Sequence, residues 1–97
     1  MINILVTIEV NNFDLLATFE RKAAEIMGLH GGEIVRAFET SREIDGSGQE
    51  VHLLEFPSED AFMKYRSDFR LSEHAELREK AIKSMTVIQS SVLKSYD

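Results

Sequence analysis

Residues 2–10 alternate with period two: Ile2, Ile4, Val6, Ile8 and Val10 share one parity, and Asn3, Leu5, Thr7 and Glu9 the other. A β-branched stripe on one parity predicts a strand with one fully buried face. Asn11 and Asn12 follow as stop and N-cap residues, and Asp14 puts an acid into the first turn of the next element. From Phe13 to about Met27 the period changes, with Leu16, Phe19, Ala23, Ile26 and Met27 recurring at three- and four-residue steps. That spacing predicts an amphipathic helix with Glu20, Arg21 and Glu25 largely outside its stripe. Gly28 and the pair Gly31–Gly32 end it, because glycine takes the left-handed cap at no steric cost.

Glu33 to about Ile44 reads as a second strand, and Gln49 to Phe56 as a third, with the turn cluster Asp45-Gly46-Ser47-Gly48 between them. Two strands joined by a short Asp-Gly turn make an antiparallel hairpin. Pro57-Ser58-Glu59-Asp60 starts a second helical region with Ser58 as N-cap. Helical patterning runs on to about Met85, interrupted near residues 68–72, where Ser72 can cap a new helix. The pairs Asp60–Lys64, Lys64–Asp68, Glu76–Lys80 and Glu79–Lys83 stand at helical i,i+4 spacing. Thr86 to Tyr96 is the expected fourth strand. The order β-α-β-β-α-β predicts an α+β, ferredoxin-like subunit: a four-stranded antiparallel sheet with its helices on one face.

The other face of that sheet must meet something. On strands two to four neither parity is cleanly polar, since Val35 and Ala37, Val51 and Leu53, and Val87 or Ile88 offer apolar residues to either side. A solvated face alternates more cleanly, and an uncovered apolar patch of this extent is rare on a monomer. The simplest cover is a second copy packed sheet to sheet, so a homodimer is the expected state.

At 97 residues the chain is expected to form one domain over positions 1–97. Eleven Lys and Arg against 17 Asp and Glu give a formal charge of -6 with no basic stripe, which argues against nucleic acid and anionic membranes as partners. No apolar run suits a transmembrane helix or a signal peptide, so a cytoplasmic location is the default expectation. The absence of cysteine excludes thiol chemistry and cysteine-based metal sites.

Carboxylates, Tyr and His remain as reactive groups. His30, His52 and His74 show no ligand spacing such as His-x-x-x-His, and no metal site is expected. His30 falls where it can assist the first helix's C-terminus. His52 is a strand residue of undetermined face, and His74 follows Glu73 in the second helical region. If Leu54 and Phe56 point to the helices, Glu55 points to the opposite face and into the interior of a dimer. A carboxylate buried there needs a partner or takes a raised pKa, and Arg36 on the neighbouring strand or Arg78 on the helix is the candidate partner. A structural ion pair across the interface is the alternative role for Glu55.

His30-Gly31-Gly32, the run Leu54-Glu55-Phe56-Pro57-Ser58, Ala61-Phe62, Tyr65-Arg66 and Leu77-Arg78 together resemble a domain-of-unknown-function family. That family lies in the dimeric α+β barrel superfamily, distant kin of the antibiotic-biosynthesis monooxygenase domains. The resemblance implies a ferredoxin-like subunit, a homodimer whose sheets form a barrel, and a cavity between sheet and helices. Lys64 precedes Tyr65 where the family commonly has Trp, and with no Trp in the chain a haem-degrading role is not implied. Tyr65 and Arg78 match the family's Tyr and Arg positions; a free Tyr hydroxyl can orient a carbonyl or phenol, and Arg can hold a carboxylate bidentately. Arg78 pairing with Asp68 or Glu55 to pin the broken helix is the structural alternative. The implied activity is a cofactor-independent enzyme, monooxygenase- or isomerase-like, acting on a small organic ligand. A non-catalytic dimeric module that binds a small molecule is the competing expectation. Glu55 and Tyr65 are the catalytic candidates, and His52, Arg78, Arg36 and His74 the ligand-binding ones.

Overall fold

The computed structural model describes residues 1–96. Strand β1 (Ile2–Val10) leads through helix α1 (Phe13–Leu29) to the hairpin β2 (Glu33–Arg42) and β3 (Gly48–Phe56). Three short helices follow, α2 (Glu59–Arg66), α3 (Phe69–Ser72) and α4 (Ala75–Ala81), and the last runs without a loop into β4 (Ile82–Ser90). The four strands form one antiparallel sheet in the order β2-β3-β1-β4, the ferredoxin-like arrangement.

β1 lies at the centre, and its even-numbered side chains are all buried against the helices. Each such Ile contributes about 1.5–3 kcal/mol relative to exposure. Leu54 and Phe56 of β3 and Ile82 of β4 complete the sheet's side of the core; Leu16, Phe19, Ala23 and Met27 of α1 and Phe62 and Tyr65 of α2 close it from above. The helix starts follow their capping residues. Asn12 Oδ1 accepts from the Leu15 amide at 3.0 Å, and Ser58 Oγ accepts from the Ala61 amide at 3.1 Å. At the end of α1, Gly31 sits at φ 75°, and the amides of Gly31 and Gly32 reach back to the carbonyls of Gly28 and Met27.

Two expected boundaries move. The helical region stops at Ala81 and β4 occupies residues 82–90, rather than a helix to Met85 and a strand over 86–96. Ile82 is extended because it pairs with Val10 and buries its side chain there, while the Ala81 carbonyl accepts from the amides of Asn11 and Asn12. β4 ends at Ser90, which pairs with Asn3, one residue from the start of β1. The break at 68–72 is real but is capped differently. Asp68 caps α3 through the Arg70 amide at 2.9 Å, whereas Ser72 Oγ donates back to the Phe69 carbonyl and α4 starts at His74 without a side-chain cap. Of the four i,i+4 pairs, Asp60–Lys64 and Glu76–Lys80 form, at 3.0 and 3.3 Å. Lys64 does not reach Asp68, which is engaged by Arg70 and His30, and Lys83 has left the helix.

The mixed parity of β2 has a cause. Its register against β3 shifts between Ile34 and Arg36 and again between Glu39 and Ser41, two bulges that each reverse the alternation. Ile34 therefore lies beside Leu54 on the helix side, while Arg36 and Phe38 lie beside Leu53 and Val51 on the other. That open face also carries Leu5 and Ile88, paired across β1 and β4, and the hydroxyls of Thr7 and Thr86, which hydrogen-bond to each other. Val35, Phe38, Leu53 and Ile88 are 46%, 49%, 39% and 63% exposed, an apolar patch on the side away from the helices.

Candidate functional site

The period of β3 places Glu50, His52, Leu54 and Phe56 on the helix side of the sheet. His52 is buried between strand and helices, the one polar or charged side chain among the buried described residues. Its Nε2 hydrogen-bonds to Glu50 Oε2 at 2.5 Å, along the same strand face. Its Nδ1 lies 4.0 Å from Oε2 of Glu20, which descends from α1. A carboxylate can only accept, so in the neutral ring the Glu50 contact puts the proton on Nε2 and the Nδ1 lone pair on the Glu20 side.

His52 and Glu20 border a partly open cavity of about 290 Å³ between the sheet and the helices. Its wall is mostly apolar, from Val6, Ile8, Phe19, Met27, Leu54 and Phe62, with Glu20, His52, Tyr65, Arg66 and Arg78 as its charged and aromatic-hydroxyl groups. Few convergent polar groups in an apolar concavity is the usual make-up of a small-ligand site. Tyr65 is held by Phe56 and Phe62, with ring centroids 5.5 and 6.4 Å away.

Burial and charge set the electrostatics. Withdrawal from water pushes the Glu20 carboxyl above its usual range; the Glu50 carboxylate adds to this, while His52 and Arg78 oppose it. Burial, with Glu20 nearby, likewise pushes the Tyr65 phenol well above its ordinary value, so it is a hydrogen-bond donor and not a phenolate at neutral pH. Among the described residues there is no cluster of three or more His, Asp or Glu arranged to hold a metal ion, and no buried side-chain nitrogen or oxygen lacks a hydrogen-bond partner.

The structure brings three of the anticipated residues together: His52, Tyr65 and Arg78 line this cavity. Glu55 does not join them. It faces the open side of the sheet, as its parity requires, beside a second concavity of about 270 Å³ that Leu5, Val35, Leu53 and Ile88 also line. No ion pair links it to Arg36 or Arg78 among the described residues; Arg78 stands on the opposite side of the sheet. Nor does Arg78 pair with Asp68, whose carboxylate is taken by Arg70 and His30. Arg36 is exposed on the open face, and His74 sits half-buried at the start of α4 outside the cavity wall. Glu20 and Glu50 were not anticipated. The alternation of β3 from the buried Phe56 was the available signal for Glu50; Glu20, next to Phe19 on the edge of the α1 stripe, had none as strong.

The family model for the domain of unknown function DUF1330 matches residues 3–92. The chain belongs to the DUF1330 family. No curated protein matches the sequence significantly. Solved structures share the DUF1330 chain's fold at low identity. A protein of unknown function from Rhodopseudomonas palustris, RPA0582, superimposes with a TM-score of 0.77 at 19% identity, over 97% of this chain and 83% of that one. SnoaB, a cofactor-independent oxygenase from Streptomyces nogalater, gives 0.73 at 14% identity over 98% and 95%. An antibiotic biosynthesis monooxygenase gives 0.68 at 13% identity over 97% and 100%. The DUF1330 chain thus shares the ferredoxin-like fold of these proteins. No helix among its described residues is long and apolar enough to cross a membrane.

Proposed function

We propose that the protein is a cofactor-independent enzyme, working as a homodimer, in which His52 removes a proton from a small organic ligand held between sheet and helices. The observation that carries this reading is the 2.5 Å contact between Glu50 and His52, the latter on the wall of the cavity. The carboxylate fixes the ring's orientation and tautomer and stabilises the imidazolium once a proton arrives, as general-base catalysis requires. Arg78 can neutralise the developing enolate or phenolate oxygen, and the Tyr65 hydroxyl can donate to it. The apolar walls suit a planar or branched carbon body.

The proton goes to Nδ1 and the C–H electron pair into the ligand's carbonyl system. Reprotonation at another atom completes an isomerisation. In the oxygenase branch, dioxygen is the oxidant, and an activated methylene becomes a carbonyl with release of one water (R₂CH₂ + O₂ → R₂CO + H₂O). The likeness in fold to a cofactor-independent oxygenase supports testing that branch. The dimer is supported by the apolar open face, which one chain leaves uncovered.

The test is α-proton exchange in D₂O, followed by proton NMR on a panel of 1,3-dicarbonyls, aryl ketones and polycyclic phenols, with oxygen uptake recorded in parallel. Wild type is expected to accelerate exchange on at least one member, and His52→Gln to lose about 10²-fold or more of that rate. Exchange no faster than in buffer across the panel, or a His52→Gln variant as fast as wild type, contradicts the reading.

A further inference from the structure

Glu20 is a second titratable group on the wall of the same cavity. It enters from α1, opposite the sheet, and its Oε2 stands 4.0 Å from His52 Nδ1, the nitrogen that Glu50 leaves free. We propose that Glu20 is the acid partner of His52, and that the pair moves a proton between carbon and carbonyl oxygen of a small α-keto acid or enolisable ketone, making the protein a keto–enol tautomerase. This rests on the reading of His52 as the base.

The atoms balance within the site. Nδ1 takes the α-proton, the C–H pair becomes the enol double bond, and the carbonyl π pair moves to oxygen. That oxygen takes the proton from the Glu20 carboxyl. The substrate has lost one proton from carbon and gained one on oxygen, leaving His52 protonated and Glu20 ionised. The 4.0 Å between Nδ1 and Oε2 lets the proton return with a small shift or through one water, and the starting state is restored. No oxidant, reductant or further reactant enters.

The surroundings fit these roles. His52 and Glu50 face Glu20 from β3, Tyr65 and Arg66 from α2, and Arg78 from α4. Burial foremost, with the Glu50 carboxylate, shifts Glu20 toward the acid form against the opposing pull of His52 and Arg78. Arg66 and Arg78 place positive charge on the same cavity wall, which selects for a ligand carrying a carboxylate.

Phenylpyruvate, an aromatic α-keto acid, is the probe. Its enol-to-keto conversion is followed by ultraviolet absorbance, and its methylene exchange in D₂O by NMR, over a pH series. Wild type, Glu20→Gln and Glu20→Asp are compared, with circular dichroism melts to establish that each is folded. Wild type is expected to accelerate both, with a methylene-exchange rate that declines on the alkaline side as Glu20 ionises. Glu20→Gln is expected to lose about 10²-fold and that alkaline decline, and Glu20→Asp to recover part of both. A Glu20→Gln variant with the wild-type rate and pH profile overturns the role of Glu20 and leaves that of His52 standing. Wild-type exchange on the ketone panel without acceleration on phenylpyruvate overturns the tautomerase assignment alone. No acceleration on either overturns both readings.

Discussion

His30 Nε2 donates to Asp68 Oδ2 at 2.8 Å, joining the residue that ends α1 to the residue that starts α3. Asp68 also accepts from the Arg70 amide and guanidinium, and its side chain is only 5% exposed. The interrupted helical region is thereby fastened to α1 next to the cavity, whose wall includes Leu71 and Ser72 of α3.

The Arg70 contacts foremost, and His30 after them, hold the Asp68 carboxyl far below the usual carboxylate range. The folded state therefore takes up this proton less readily than the unfolded chain. The stabilisation is complete above the unfolded carboxylate's pKa of about 3.9 and is lost as pH falls from there toward the lowered folded value. Asp68→Asn is expected to melt below wild type at pH 7, with the gap narrowing progressively under acid conditions. Melting curves by circular dichroism at both extremes check it; equal melting temperatures at pH 7 contradict it.

Gly32 leaves room for a ring. A Cβ built there would overlap Cε1 and Cζ of Phe56, which is fully buried with Phe62 and Tyr65 at centroid distances of 5.1 and 5.5 Å. Gly32→Ala is expected to cost about 1–3 kcal/mol in urea denaturation without a change in slope. Adding Phe56→Leu should recover part of the loss, because the clash and not the backbone causes it.

The uncovered sheet face predicts assembly. Leu53 lies at the middle of the patch, between Leu5 on β1 and Arg36 on β2. Sedimentation at micromolar concentration is expected to give a dimer for wild type and a monomer for Leu53→Glu, which would bury a charge at the interface. A wild-type protein that stays monomeric as concentration rises contradicts the dimer.

The elements governed by one periodicity were legible in the sequence, and those governed by pairing partners were not. The β1 stripe and the α1 stripe each repeat over nine or more residues, and their caps Asn12 and Ser58 bond as their types require. The bulges at Val35 and Thr40 have no local signal, since they arise from how β2 meets β3. The start of β4 at Ile82 was hidden by a sequence that continues helical spacing with no Gly or Pro to stop it; pairing with Val10 overrides that pattern. The same division holds at the site. Tyr65 and Arg78 fall on the cavity, as does His52, whose face the alternation from Phe56 determines. Glu55 lies on the side of the sheet that its parity gives, beside the second concavity and away from the one that His52 lines. Glu20 became a site residue only because α1 crosses above β3, a tertiary fact that helix periodicity does not contain.

The central claim is that His52 presents a bare Nδ1 to the cavity while Glu50 holds its Nε2 proton. Nitrogen-15 NMR of the imidazole rings tests it most directly, with the His52 signals assigned by their loss in His52→Gln. At a pH where the ring is neutral, the expected tautomer carries its proton on Nε2, with Nδ1 shifted as an unprotonated nitrogen. A neutral ring carrying its proton on Nδ1 would turn the basic lone pair toward Glu50 and contradict the account.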